Sequence, residues 1–179
     1  MTESVLSRIP LPVSWTEDGS AIRLLDQTLL PGEERYLRLE TVEAVAEAIR
    51  SLRVRGAPAI GIAAAFGLAI GVMRRVEAGE PDLPDGMEGD RKHLLLTRPT
   101  AVNLAWALER VAGAFFRAGE EAQARVAAVT EEANRIAEED RELCRLMGEH
   151  GLDVIPEEGA SILTHCNAGA LATGGMGTA

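Results

Sequence analysis

From Ala57 to Met73 no residue carries a charge. A run of that length sits at the short limit for crossing a bilayer, roughly 17 to 25 residues. Its composition is Ala and Gly more than Leu and Ile, and Gly67 and Gly71 stand one turn apart. Small residues at that spacing let helices approach closely in soluble cores as well as in membranes. The run therefore predicts a buried helix at the centre of a soluble fold, entered through Pro58 and ending near Val76. Aromatic residues make up only 3% of the chain, so aliphatic side chains from neighbouring elements must complete the core around it.

Those neighbours are readable as patterns. Val13–Trp15 and residues 21–25 flank Glu17-Asp18-Gly19-Ser20, whose Asp-Gly pair signals a hairpin. Residues 26–32 read as a loop closed by Pro31-Gly32. In residues 41–52, Val42, Val45, Ala46, Ile49 and Leu52 share one helical face. Residues 79–89, rich in Gly, Pro, Asp and Glu, read as an exposed loop. Helices follow over 99–117, with Thr97 placed to cap, and over 120–147, with Gly148 as its C-cap. After Gly151 the character changes: Pro156-Glu157-Glu158-Gly159 reads as a turn, Ser161-Ile162-Leu163-Thr164 as a short strand, and the Gly-rich stretch beyond as the following turn. The expected fold is a mainly α N-terminal domain with a small antiparallel β unit over residues 1–150. Residues 151–179 open an α/β domain. A lone strand there would have no partner to stabilise it.

Charge and cysteine usage narrow the partners. With 28 acidic against 18 basic residues the formal charge is −10, and a phosphate backbone would repel such a chain. A small anion is still a possible ligand, since one or two local arginines and backbone N–H groups suffice for it. Cys144 and Cys166 lack CxxC spacing, so neither a zinc site nor a disulfide framework is indicated. The start, MTESVLSRIP, has no basic segment followed by an apolar one. A reducing cytoplasm is the expected compartment.

Three segments can carry chemistry. In Arg53-Val54-Arg55-Gly56-Ala57-Pro58, a flexible Gly precedes a helix whose first N–H groups are unpaired and partly positive, and Arg55 adds a fork of donors. This suits a phosphate; an ordinary helix start with surface arginines is the commoner reading of the same residues. In Thr97-Arg98-Pro99-Thr100, Arg98 again precedes a proline-initiated helix, and plain capping is the alternative. In Thr164-His165-Cys166-Asn167-Ala168-Gly169, Cys166 falls at a strand's carboxyl end, where ligands bind in open α/β sheets. A thiol there can move protons, or it is a small buried hydrophobe. Asn167 and Gly169 would offer polar contacts around a sugar. Neighbouring strand residues face opposite ways, which disfavours a His165–Cys166 pair. His93 and His150 read as surface residues, and Cys144 as structural.

Taken together, Arg55-Gly56-Ala57-Pro58-Ala59-Ile60-Gly61, Arg98-Pro99-Thr100-Ala101-Val102-Asn103-Leu104 and Thr164-His165-Cys166-Asn167-Ala168-Gly169-Ala170-Leu171-Ala172-Thr173 resemble the methylthioribose-1-phosphate isomerases. Leu25-Asp26-Gln27-Thr28-Leu29-Leu30-Pro31 and Gly148-Glu149-His150-Gly151 do so too. The resemblance implies a helical N-terminal domain followed by a Rossmann-like one. It implies conversion of the aldose 5-methylthioribose 1-phosphate into the ketose 5-methylthioribulose 1-phosphate, with no cofactor or metal, in a cytoplasmic homodimer. It implies Cys166 as the catalytic cysteine, and Arg55, Gly56, Ala57 and Arg98 as substrate contacts. It also implies a catalytic aspartate downstream of these 179 residues, so that the chain alone is expected to be inactive. Two alternatives share much of the pattern: a non-catalytic regulatory subunit like those of initiation factor 2B, and a ribose-1,5-bisphosphate isomerase.

Overall fold

The computed structural model describes residues 9–156 and 159–178. The chain start read for a leader, and Glu157-Glu158 of the expected turn, lie outside the described residues. The hairpin forms where its Asp-Gly signal stands. Strands β1 (Val13–Trp15) and β2 (Ile22–Leu25) pair antiparallel, with Val13 opposite Leu24 and Trp15 opposite Ile22. The Asp18 carboxylate accepts the Ser20 N–H at 3.1 Å and Gly19 takes φ +65°, which closes the turn. A third strand, β3 (Tyr36–Leu39), adds to β2. The sequence reading missed it, because flanking Glu33, Glu34, Arg35 and Glu40 obscure the alternation of a short edge strand.

Among the described residues five α-helices follow: α1 (Val42–Arg50), α2 (Ala57–Glu77), α3 (Leu83–Leu95), α4 (Val102–Arg117) and α5 (Ala122–Leu152). Thr41 caps α1 by accepting the Ala44 N–H. Helix α2 is the axis of the molecule. It is long and apolar enough to cross a membrane, yet every residue from Ala59 to Val72 is buried, and it packs against all four other helices. Its glycines set the spacing: a Cβ on Gly67 would lie 2.8 Å from Val45 Cγ1, and one on Gly71 2.5 Å from Asp90 Oδ2.

The structure corrects several expectations. Residues 79–89 are not a loop; most belong to α3, whose Leu83, Met87, Asp90 and Leu94 form a buried stripe at helical spacing. Asp82 caps this helix, and Arg75 of α2 grips Asp90 with two N–H groups at 2.8 and 2.7 Å. Gly86 leaves room for the Arg75 side chain to cross. Tertiary contacts thus override a helix-poor composition. His93, read as a surface residue, is exposed and lies in the last turn of α3. Thr97 does not cap α4: its hydroxyl donates to Leu94 O at 2.6 Å and so finishes α3, and α4 begins only at Val102. Helix α5 runs through Gly148 to Leu152, since an exposed glycine costs a helix only about 1 kcal/mol.

The expected strand over 161–164 does not form. Those residues are exposed, Leu163 almost completely, and pair with nothing in the described structure. A strand needs neighbours to satisfy its backbone, and none is present beside it. Order returns at a short 3₁₀ turn, Ala170–Ala172, and at an isolated bridge between Gly169 and Gly177. This tail lies back against α2 and α5.

Candidate functional site

The site is built around the first turn of α2. That turn has no intrahelical acceptors for its leading N–H groups, and its N-cap, Gly56, has no side chain to supply one. Gly56 takes φ +100°, a region open mainly to glycine. A Cβ there would lie 2.4 Å from the Ala172 Cα. Glycine is therefore required twice over, by its dihedral and by the tail seated on it.

The loop after β2 supports this mouth. Gln27 is buried, donates from Nε2 to Leu171 O at 2.8 Å, and accepts from Arg55 Nη2 at its own carbonyl at 3.0 Å. One residue thus joins the β2 loop, the α2 entry and the tail. Beside it the buried Asp26 carboxylate accepts from Thr28 N–H at 3.0 Å, from the Thr28 hydroxyl, and from Arg53 Nη1. Burial alone would push this carboxyl up, but the Thr28 and Arg53 hydrogen bonds outweigh it and hold it below its ordinary value. Arg53 also binds Glu47 on α1.

The entry to α4 lies alongside. A Cβ on Gly61 would meet Asn103 O at 2.9 Å, so the N-terminal ends of α2 and α4 are in contact. Gly61 stands only about 7 to 8 Å along the axis from Gly56. Arg98 sits on the turn leading into α4, where its carbonyl accepts the Ala101 N–H. Arginines 53, 74, 75, 91, 110, 135, 141 and 145 are ion-paired. Among the described residues, Arg55 and Arg98 have no carboxylate partner, as is also true of Arg23, Arg50, Arg117 and Arg125; what sets Arg55 and Arg98 apart is their place just before the starts of α2 and α4. Guanidinium groups left unneutralised beside helix starts suit an anion.

A cleft of about 150 Å³ runs between the starts of α2 and α4 and the middle of α5, lined by Pro58, Gly61, Asn103, Trp106, Asp140 and Leu143. A larger depression, about 450 Å³, lies beside Trp15 and Phe66. It is about 6 to 12 Å farther along α2, and its polar lining consists largely of glutamates and arginines from α5. The smaller cleft is the one that adjoins the unpaired helix starts.

The sequence-read residues fall out as follows. Arg55, Gly56 and Ala57 stand at the α2 mouth, Arg55 and Ala57 exposed and Gly56 half-buried; Arg98 is half-buried on the adjoining turn. Gly169 begins the turn that places Ala172 on Gly56. Cys166 and Asn167 are exposed just upstream. Cys166 stands three positions before Gly169, a tether of at most about 10 to 11 Å. The Cys166 backbone has φ +65°, uncommon for a residue with a side chain. Cys144 is buried on α5, and burial pushes its thiol up. No group of three or more potential metal ligands occurs among the described residues. Gln27 and Asp140 carried no assigned role in the sequence, although Gln27 lies within one of the quoted segments.

Comparison with known proteins relates the chain to a family. The chain is 49% identical over 169 residues to a methylthioribose-1-phosphate isomerase of Symbiobacterium thermophilum, covering 94% of this chain and 47% of that protein. It is 43% identical to a 5-deoxyribose 1-phosphate isomerase of Petrotoga mobilis, covering 94% and 49%. The crystal structure of 5-methylthioribose 1-phosphate isomerase from Pyrococcus horikoshii superposes with a TM-score of 0.85 at 40% identity, over 99% of this chain and 49% of that one. Subunit delta of translation initiation factor eIF-2B from A. fulgidus superposes at 0.80 and 37% identity, over 93% and 48%. The chain spans about half the length of the curated relatives it matches. A family model described as the initiation factor 2 subunit family matches residues 53–176, from the arginine that anchors the α2 entry to the glycine-rich tail, and the chain belongs to that family.

Proposed function

We propose that this chain carries the phosphate-gripping and thiol half of an aldose–ketose isomerase site, acting on 5-methylthioribose 1-phosphate. The observation that carries the reading is the meeting of the α2 and α4 starts, each preceded by an arginine free of carboxylates, with the tail that follows Cys166 seated on the α2 start. Arg55, Arg98 and the N–H groups at Gly56 and Ala57 hold the phosphate. Asn167 and Gly169 contact the sugar. Cys166 moves a proton.

The chemistry explains why one such group is not enough. The C1 oxygen carries the phosphate, so the ring cannot open to a free aldehyde. The C1–O4 bond must break with a proton delivered to O4. Hydrogen then passes from C2 to C1, and the C2 hydroxyl gives up its proton to become the ketone. A donor and an acceptor are both needed. The thiol serves as one; family resemblance assigns the other to an aspartate beyond these residues. Residues 151–179 are read as the opening of a Rossmann-like domain, and the working molecule as a cytoplasmic homodimer that needs no cofactor.

The names of the relatives leave a choice of substituent at C5, and a ribose 1,5-bisphosphate would require a further basic group for its second phosphate. A regulatory, non-catalytic role would dispense with Cys166. A direct test is to titrate 5-methylthioribose 1-phosphate against the chain and its Cys166→Ser and Arg98→Ala variants, following ketose formation by NMR. The reading expects binding that survives Cys166→Ser and falls about 10- to 100-fold in Arg98→Ala. It also expects no turnover by the 179 residues alone. Binding indifferent to Arg98, or turnover at the rate of a full-length relative, refutes it.

A further inference from the structure

We propose that Asp140 of α5 is a positioning residue for this site, acting at a distance by fixing the tail that roofs the α2 mouth; this rests on the isomerase reading. The tail from Gly169 to Gly177 holds four glycines and two alanines among its nine residues, with a 3₁₀ turn and an isolated bridge as its described regular structure. Such a segment buries too little apolar surface to hold itself in place, so polar contacts must set its position.

Those contacts converge on Gly174. Its N–H donates to Asp140 Oδ2, and its carbonyl accepts from Arg141 Nε at 2.9 Å. Consecutive α5 residues thus grip both backbone groups of one glycine. The fit is close: a Cβ on Gly174 would lie 3.0 Å from Ala137 O and 3.1 Å from both Asp140 Oδ2 and Ile62 Cδ1, so a larger residue requires these neighbours to give way. The Thr173 hydroxyl accepts the Gly175 and Gly177 N–H groups at 3.2 and 3.1 Å, which keeps the loop compact. Two residues before Gly174, Ala172 lies on Gly56, and Leu171 O takes the Gln27 hydrogen bond. A shift at Gly174 is therefore transmitted to the atoms over the α2 mouth.

The carboxylate is costly where it stands. Burial pushes Asp140 up, and the Gly174 N–H and Arg141 only partly offset this. Most acidic side chains on the same helix reach solvent beside arginines. Asp140 instead faces the tail and lines the cleft with Asn103 and Trp106. The charged or titratable groups around it are Glu139, Arg141 and Cys144 on its own helix. The cleft residues from α2 and α4 are Pro58, Gly61, Ile62, Asn103 and Trp106, none of which titrates.

The test uses ¹⁵N-labelled chain. In the wild type, the amides of Gly56 and Ala172 should titrate with the midpoint of the Asp140 carboxyl; Asp26, held below the ordinary range, titrates separately. Absence of that shared midpoint overturns the proposal even if every variant misfolds. Asp140→Ala should move the Gly56 and Ala172 amides and weaken 5-methylthioribose 1-phosphate binding by about tenfold. Asp140→Asn keeps an acceptor oxygen on the same stem but, like the protonated acid, no charge, so its Gly56 and Ala172 amides should rest at the low-pH end point of the wild type without titrating, and its affinity should lie between wild type and Asp140→Ala. Shifts confined to residues 174–177, or an Asn variant as impaired as Ala, count against the role. If the wild type binds no sugar phosphate, the isomerase reading fails, while the Gly56 and Ala172 amides still decide the positioning claim.

Discussion

At the residue scale, the site depends on side chains whose environments pull their acidities in opposite directions. Asp26 is held below its ordinary value despite burial, by Thr28 and Arg53. A carboxyl lowered in the folded state contributes stability above its unfolded value, and that stability is lost as pH falls through the folded one. Asp140 is raised by burial, so its sign is reversed: stability falls as pH climbs from the unfolded value through the raised one. Denaturant melts between pH 2 and 7 should therefore show Asp26→Asn with a flatter acid limb than the wild type. Asp140→Asn should lose the decline above pH 4; an unchanged slope in both variants would contradict these environments. Gly56 makes a sharper case. Gly56→Ala must accept φ +100° and a backbone contact at 2.4 Å, so it should cost at least about 1 to 3 kcal/mol. It should also expose the Ala170–Ala172 turn to amide exchange; wild-type protection in the variant would mean that the tail is held without Gly56.

At the element scale, α2 was legible because its signals are local. An uncharged run, a proline in the first turn and glycines spaced for close packing all lie within the helix they describe. Helix α3 was not legible, because what secures it comes from elsewhere: Asp90 is buried only through Arg75, fifteen residues earlier. Replacing Asp90 by Ala leaves the Arg75 guanidinium without its main partner, though still near Glu80. The loss should be about 3 kcal/mol, with hydrogen exchange accelerating along α3 before other helices. Uniform acceleration would mean that α3 does not depend on this pair. The end of α1 offers a gain instead. Leu52 is exposed at φ +60°, a left-handed position that glycine fills without strain. Leu52→Gly should raise stability by up to about 1 kcal/mol in a denaturant titration.

At the scale of the whole molecule, the candidate site is a product of long-range contacts. The two arginine-bearing helix starts could be read singly, but their adjacency rests on Gly61 meeting Asn103. Gln27 and Leu171 are 144 residues apart, and Asp140 and Gly174 are 34 apart; no local pattern announces either contact. The strand expected at 161–164 depended on neighbours that are not beside it, so β propensity alone could not form it. The central claim is that Arg55 and Arg98 serve one phosphate from adjoining helix mouths. It is tested most directly by a double-mutant cycle, Arg55→Gln and Arg98→Gln alone and combined, read as 5-methylthioribose 1-phosphate affinity by ³¹P NMR titration. Each single change should weaken binding about tenfold or more, and the pair should be non-additive, because the two groups share a ligand. Affinity unchanged by either substitution would contradict the account.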